Sequence, residues 1–164
     1  MRVTMRFADE TDVPLILDFI KKLARYEKLE DKVVATEEVL RDQLFVRKGG
    51  EVVFAEVEGV PVGFALFFYN FSTFLGMRGI YLEDLYVDES HRGKGYGRAL
   101  LAYLARLAKE RDCGRLDWWV LNWNAPSIAF YKSLGAKPMD EWTTFRLTGA
   151  ALTALADEGR SGNY

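Results

Sequence analysis

A mixed α/β fold is the class this sequence predicts, with a sheet that combines antiparallel hairpins and helical crossovers. Three observations carry it. Short β-rich runs recur at 3–7, 51–57, 61–69, 81–87, 116–120 and 142–147. Runs with helical spacing of apolar residues lie between them. Their order reads β-α-α-β-β-β-α-β-α-β, which demands both adjacent hairpin strands and crossovers. The 164 residues suit one domain, expected over 1–156 with a polar tail, DEGRSGNY, over 157–164.

Each element has its own local reason. Residues 3–7 alternate apolar and polar side chains. Thr11 or Asp12 can cap a helix with Pro14 in its first turn, and Leu15, Phe19, Ile20 and Leu23 then follow helical spacing to about Tyr26. Thr36-Glu37-Glu38 opens a second helix with acids at the positive end of its dipole, and Gly49-Gly50 closes it. The runs 51–57 and 61–69 are joined by Glu58-Gly59-Val60 and read as a hairpin. Leu100, Leu101, Leu104, Leu107 and Ala108 share one face of a strong helix over 98–111. A short buried strand is expected at 116–120, a helix at 126–134 that Gly135 stops, and a last strand at 142–147 before a weak helix.

Composition narrows the function. Half the chain is apolar (49%) and 14% is aromatic, so a full core can be buried and whole-chain disorder is excluded. Lys and Arg total 22 against 24 Asp and Glu, a net charge of −2, without the basic footprint of a nucleic-acid binder. Cys113 is the one cysteine and His91 the one histidine, so no intrachain disulfide and no multi-Cys or multi-His metal site can form. The first residues, MRVTMRFADETD, lack the apolar core of a signal peptide, and the apolar stretch 60–74 is too short to span a bilayer. A cytoplasmic protein with no metal, membrane or nucleic-acid partner is expected.

The informative segment runs Leu82-Glu83-Asp84-Leu85-Tyr86-Val87, then Asp88-Glu89-Ser90-His91, then Arg92-Gly93-Lys94-Gly95-Tyr96-Gly97-Arg98. It is a strand, a glycine-rich turn and the start of a long helix. Such a turn lets backbone N–H groups approach an anion, and the helix dipole favours a phosphate or pyrophosphate there. A Walker A loop needs Gly-Lys-Ser/Thr after four residues, and here the lysine sits between glycines with no hydroxyl after it. A dinucleotide fingerprint needs a third glycine at the position held by Arg98. A nucleotide-binding module is therefore disfavoured. What remains is Arg92-x-x-Gly95-x-Gly97.

That pattern resembles the acetyl-CoA loop of the GNAT superfamily of N-acetyltransferases. A second constellation, Asn124-Ala125-Pro126-Ser127-x-x-Phe130-Tyr131 followed by Gly135, is similar to the element after that family's fifth strand. The resemblance covers about Val3 to Leu147. It looks closest to the diamine (spermidine/spermine) and thialysine acetyltransferases, through Ala24-Arg25-Tyr26-Glu27, Tyr81-Leu82-Glu83-Asp84 and Trp123-Asn124-x-Pro126-Ser127. The short Glu58-Gly59-Val60 connection, and Asp117, Trp118 and Trp119 at substrate positions, depart from those subfamilies.

The resemblance implies a sheet of six to seven strands, mostly antiparallel, and a homodimer. It implies acetyl-CoA as co-substrate. The cofactor would be held by Leu85, Tyr86 and Val87, by Arg92, Gly93, Lys94, Gly95, Tyr96, Gly97 and Arg98, and by Asn124, Ala125, Pro126, Ser127 and Tyr131. A small polycationic amine would lie against Tyr26, Glu27, Glu83, Asp117, Trp118 and Trp119. Acetyl transfer needs a neutral amine, so a proton must leave an alkyl ammonium of reference pKa about 10. Glu83 is expected to bind that cation or relay its proton. Strand alternation puts Asp84 on the opposite face. Tyr131, a phenol matched to a thiol in pKa, is expected to protonate the departing thiolate. His91 and Cys113 receive no catalytic role. A peptide or amino-acid acetyltransferase and a non-catalytic acyl-CoA sensor are the alternatives.

Overall fold

The computed structural model describes residues 2–160. The chain divides into two compact units, 1–121 and 122–164.

The first unit holds a five-stranded sheet in the order β1-β2-β3-β4-β5. These are β1 (Val3–Phe7), β2 (Glu51–Val57), β3 (Val60–Ser72), β4 (Met77–Val87) and β5 (Leu116–Trp118). Neighbours are antiparallel except β4 and β5, which run parallel. The β2–β3 connection is the two-residue turn Glu58-Gly59, with φ of 52° and 78°. Two positive φ values match the right-handed twist of the flanking strands.

Helix α1 (Val13–Tyr26) follows a 3₁₀ turn at Glu10–Asp12. Asp9 caps that 3₁₀ turn, accepting from the Thr11 N–H at 2.8 Å, while the Asp12 side chain accepts from Asp9 N–H at 2.8 Å. Asp12 stands at the N-cap of α1 without a side-chain cap bond, and Thr11 lies within the 3₁₀ turn. Helix α2 (Glu37–Arg41) is capped by Thr36, which accepts from Val39 N–H at 3.2 Å, and runs into a π-helical turn over Asp42–Val46. Helix α3 (Tyr96–Glu110) carries β4 across to β5.

Both faces of the sheet are covered, and alternation explains how. Val52, Phe54 and Phe64 form one buried cluster with Ile16 and Phe19 of α1. The Phe19 ring stacks on Phe64 at 5.3 Å and tilts against Phe54 at 6.0 Å. Val53 and Ala55 point to the other face and are fully buried. Phe7 lies opposite Val53 and meets Tyr103 of α3 edge-on at 6.2 Å, so α3 covers that side. Its stripe of Leu100, Leu101, Leu104, Leu107 and Ala108 is buried.

The second unit contains α4 (Ala125–Ser133) and α5 (Gly149–Arg160). Asn124 caps α4, accepting from Ser127 N–H at 3.3 Å, and Gly135 follows its end with φ of 88°. The expected strand at 142–147 does not form, so the sheet has five strands, not six to seven. The run has strand-like side chains, but among the described residues of this unit no strand stands beside it to complete a ladder. Phe145 is 92% exposed. The strand expected at 116–120 is shorter and only half-buried. Asp157 to Arg160, expected as tail, continue α5. Residues 161–164 of that tail lie outside the described residues.

Candidate active site

The glycine turn begins where β4 ends. Asp88 N–H donates to Val62 O at 2.8 Å, and a 3₁₀ turn at Glu89–His91 carries the chain to Arg92. Gly93 and Gly95 adopt φ of 73° and 83°, conformations that cost most other residues 1–2 kcal/mol or about that order. A Cβ built on either glycine meets nothing within 4 Å, so the turn is open on its outer side. The first helical hydrogen bond of α3 runs from Ala99 N–H to Gly95 O at 2.9 Å. The N–H groups before it are the orphan donors of a helix start, backed by the dipole of fifteen residues. Open left-handed glycines, unsatisfied helix-start N–H groups and the cations Lys94 and Arg98 fit a pyrophosphate.

Eight residues before Arg92, β4 carries a different kind of site. The β3–β4 register pairs Phe67 with Leu82 and Leu66 with Asp84, leaving Glu83 as the extra residue of a β-bulge. Strict alternation stops there, so Asp84 is not simply turned to the far face. Glu27, which follows α1, completes a group of three carboxyls. Burial, with the charges of Glu83 and Glu27, pushes Asp84 up to about 7. Burial and Glu83 likewise raise Glu27 above the usual carboxylate range. Among the described residues no lysine or arginine pairs with any of the three. Unpaired carboxyls that repel one another are stabilised by any cation that enters between them.

Sequence reasoning chose Glu83 and Glu27 here and missed Asp84. Only its adjacency to Glu83 pointed to it, because a bulge leaves no mark in an isolated sequence.

An aromatic wall continues from this group. Tyr81 lies opposite Asp117 in the β4–β5 register, and its hydroxyl is raised by burial, then by Glu83 and Asp117. Its ring meets Phe68 at 5.2 Å and the edge of Trp119 at 6.5 Å. Trp118 lies opposite Leu82. Asp117 differs from the other acids in having partners, Arg115 at 3.3 Å and Asn70 at 3.4 Å. Tyr26, at the end of α1, is partly exposed with the Arg92 guanidinium 4.8 Å from its ring centre.

The second unit brings Asn124 and Tyr131 onto one short helix. Asn124 is buried and pins the first turn of α4; the Tyr131 ring packs at 5.6 Å from Phe130. His91 hydrogen-bonds Ser90 at 3.0 Å, and buried Cys113 directs its thiol to Arg111 O at 3.8 Å.

Residues 17–136 match the acetyltransferase (GNAT) family model. The chain belongs to the GNAT family and is an N-acetyltransferase. The enzyme is 39% identical to a thialysine N-epsilon-acetyltransferase of Bos taurus, across 94% of this chain and 97% of that one. It is 32% identical to an L-ornithine N5-acetyltransferase of Arabidopsis thaliana, across 92% and 86%. Among solved structures, an integron cassette protein from the V. cholerae mobile metagenome superposes with TM-score 0.78 at 33% identity, covering 95% of the acetyltransferase and 98% of that chain. A predicted acetyltransferase from Clostridium acetobutylicum, solved with acetyl-CoA, shares the fold at TM-score 0.73 and 22% identity, across 88% and 96%. No helix among the described residues of the enzyme is long and apolar enough to cross a membrane.

Proposed function

We propose that this enzyme transfers the acetyl group of acetyl-CoA to a primary amine of a small polycationic compound, of the thialysine, ornithine or polyamine type. One observation carries the substrate class: three carboxyls, Glu27, Glu83 and Asp84, stand together without a cation of the protein's own. A substrate ammonium supplies the missing charge. The names of the relatives in Bos taurus and Arabidopsis thaliana, whose acceptors carry side-chain amines, support the same class.

The backbone of 92–98 and of 85–87 would hold the cofactor, with Asn124, Ala125, Pro126 and Ser127 shaping the second contact. Acetyl-CoA supplies the activated thioester. The carboxyl group lowers the cost of taking a proton from the ammonium: a carboxyl held near 7 accepts it far more readily than one at the ordinary 3.8. The neutral nitrogen attacks the thioester carbonyl and, as the C–S bond breaks, gives up its second proton to solvent, while Tyr131 gives its phenolic proton to the leaving thiolate and regains one from solvent. We read 1–156 as one catalytic domain, working as a cytoplasmic homodimer. Exposed Phe71 and Phe74 support the association, which sedimentation would measure.

The test is thiol release from acetyl-CoA with a panel of diamines, thialysine, ornithine, neutral monoamines and a basic peptide. Diamines or amino acids with a side-chain amine are expected to lead in kcat/KM. Peptide preference would overturn the substrate class, and cofactor binding without turnover would overturn catalysis. Tyr131→Phe keeps the ring, so fold and cofactor affinity should persist while kcat falls by on the order of 10²- to 10⁴-fold. A fall below about threefold, with chemistry rate-limiting, would remove the general-acid role.

A further inference from the structure

The guanidinium of Arg92, the residue that opens the cofactor turn, sits back against the first helix and the end of β4. Its Nε donates to Val87 O at 2.9 Å. Its carbon lies 4.8 Å from the ring centre of Tyr26 and 5.2 Å from that of Tyr86. Four residues earlier, Asp88 accepts from Lys22 Nζ at 3.1 Å, and Lys22 also pairs with Asp18 at 3.3 Å.

The spacing makes these contacts one device. Asp18, Lys22 and Tyr26 are four residues apart along α1 and form one stripe on its surface. Asp88 and Arg92 are also four apart, across the 3₁₀ turn that leads to the glycines. The strap 88–92 is therefore fastened to α1 at two points. Glu27, the member of the carboxyl group that caps the end of α1, directly follows Tyr26. The segment that ends in the cofactor turn thus grips the segment that ends in the amine site.

We propose that Arg92 is a positioning residue that holds Tyr26 and Glu27 in register with the cofactor turn, and that its side chain is not a phosphate ligand. This rests on the two-substrate reading given above. A planar guanidinium can stack on tyrosine faces and donate an in-plane N–H to a carbonyl together, whereas an ammonium cannot serve both geometries.

The test compares Arg92→Lys, Arg92→Gln, Tyr26→Phe, Tyr26→Leu and the double variant Arg92→Lys/Tyr26→Leu. Amine KM, kcat and calorimetric acetyl-CoA affinity are measured for each. Arg92→Lys and Tyr26→Leu should each raise amine KM about three- to tenfold, the span of a modest cation–π contact. Acetyl-CoA affinity should stay within about twofold. Tyr26→Phe, which keeps the ring face, should raise amine KM less than Tyr26→Leu does, and the double variant should be no worse than either single one. The proposal is overturned if Arg92→Gln loses acetyl-CoA affinity that Arg92→Lys retains while amine KM is unchanged. It is also overturned if the two single effects multiply.

Urea unfolding of the same set needs no ligand. Non-additivity of about three- to tenfold in the folding equilibrium supports the clasp, and additivity overturns it. A wild-type enzyme that binds no acetyl-CoA would instead refute the two-substrate reading, leaving the unfolding result to judge the clasp alone.

Discussion

Two stretches of one segment, the bulge at Glu83-Asp84 and the turn at 92–98, prepare opposite charges by different means. The turn is made of backbone. Its left-handed glycines and helix-start N–H groups hold partial positive charge wherever that local sequence folds. The bulge is made of side chains from separate places. Glu83 and Asp84 come from β4 and Glu27 from beyond α1, and Glu27 joins the repulsion only once α1 is packed on the sheet. A site of the first kind tolerates changes in its surroundings but not in its own residues. A site of the second kind is tuned by any one of its members.

The largest effect should come from breaking the backbone site. Gly95→Asp places a charged side chain in the open space beside a φ of 83°, a conformation aspartate can adopt. Acetyl-CoA affinity should fall by about 100-fold or more, as expected when charge-assisted hydrogen bonds to an anion are replaced by repulsion. Circular dichroism should stay native. Unchanged affinity by calorimetric titration would show that the turn does not hold the pyrophosphate.

A smaller loss is expected on the side-chain site. Glu83→Gln keeps the shape and removes one charge, so kcat/KM for a diamine should drop about tenfold, the worth of one charge-assisted contact. Acetyl-CoA affinity should not move. An equal drop for a neutral amine would make Glu83 a proton acceptor alone, and no drop would leave it as an exposed strand acid.

The smallest effect sharpens the idea that the acids tune one another. Asp84 must be ionised to take a proton, so kcat/KM should rise with pH through about 7. Glu27→Gln removes a charge that raises Asp84, so this limb should move to lower pH by a few tenths of a unit or roughly that order. Stability has the opposite slope. A carboxyl raised from 3.8 to about 7 on folding favours the folded state most at low pH. That contribution is lost as pH rises across this window. Thermal melts of Asp84→Asn should therefore gain on the wild type between pH 5 and pH 8 or thereabouts. A parallel pair of curves would mean that Asp84 carries no raised affinity for its proton.

Much of the architecture was determined locally. Thr36, Asn124 and Gly135 start or stop helices through hydrogen bonds and φ values that involve only near neighbours, and the apolar stripe of α3 follows from its period. The glycine turn belongs to the same category, since its chemistry is that of the backbone. The sequence by itself therefore determined the strand–turn–helix unit, the capped α4 and the residue types offered to an amine. Tertiary structure decided three things. It set Glu83 in a bulge and so brought Asp84 into the carboxyl group, because register depends on the partner strand β3. It turned the Arg92 side chain onto Tyr26, a contact that exists only when α1 lies beside the end of β4. And it left 142–147 outside any ladder, because β-structure is a property of pairs of segments: an apolar alternating run becomes a strand only when a neighbour offers its own unpaired N–H and C=O groups.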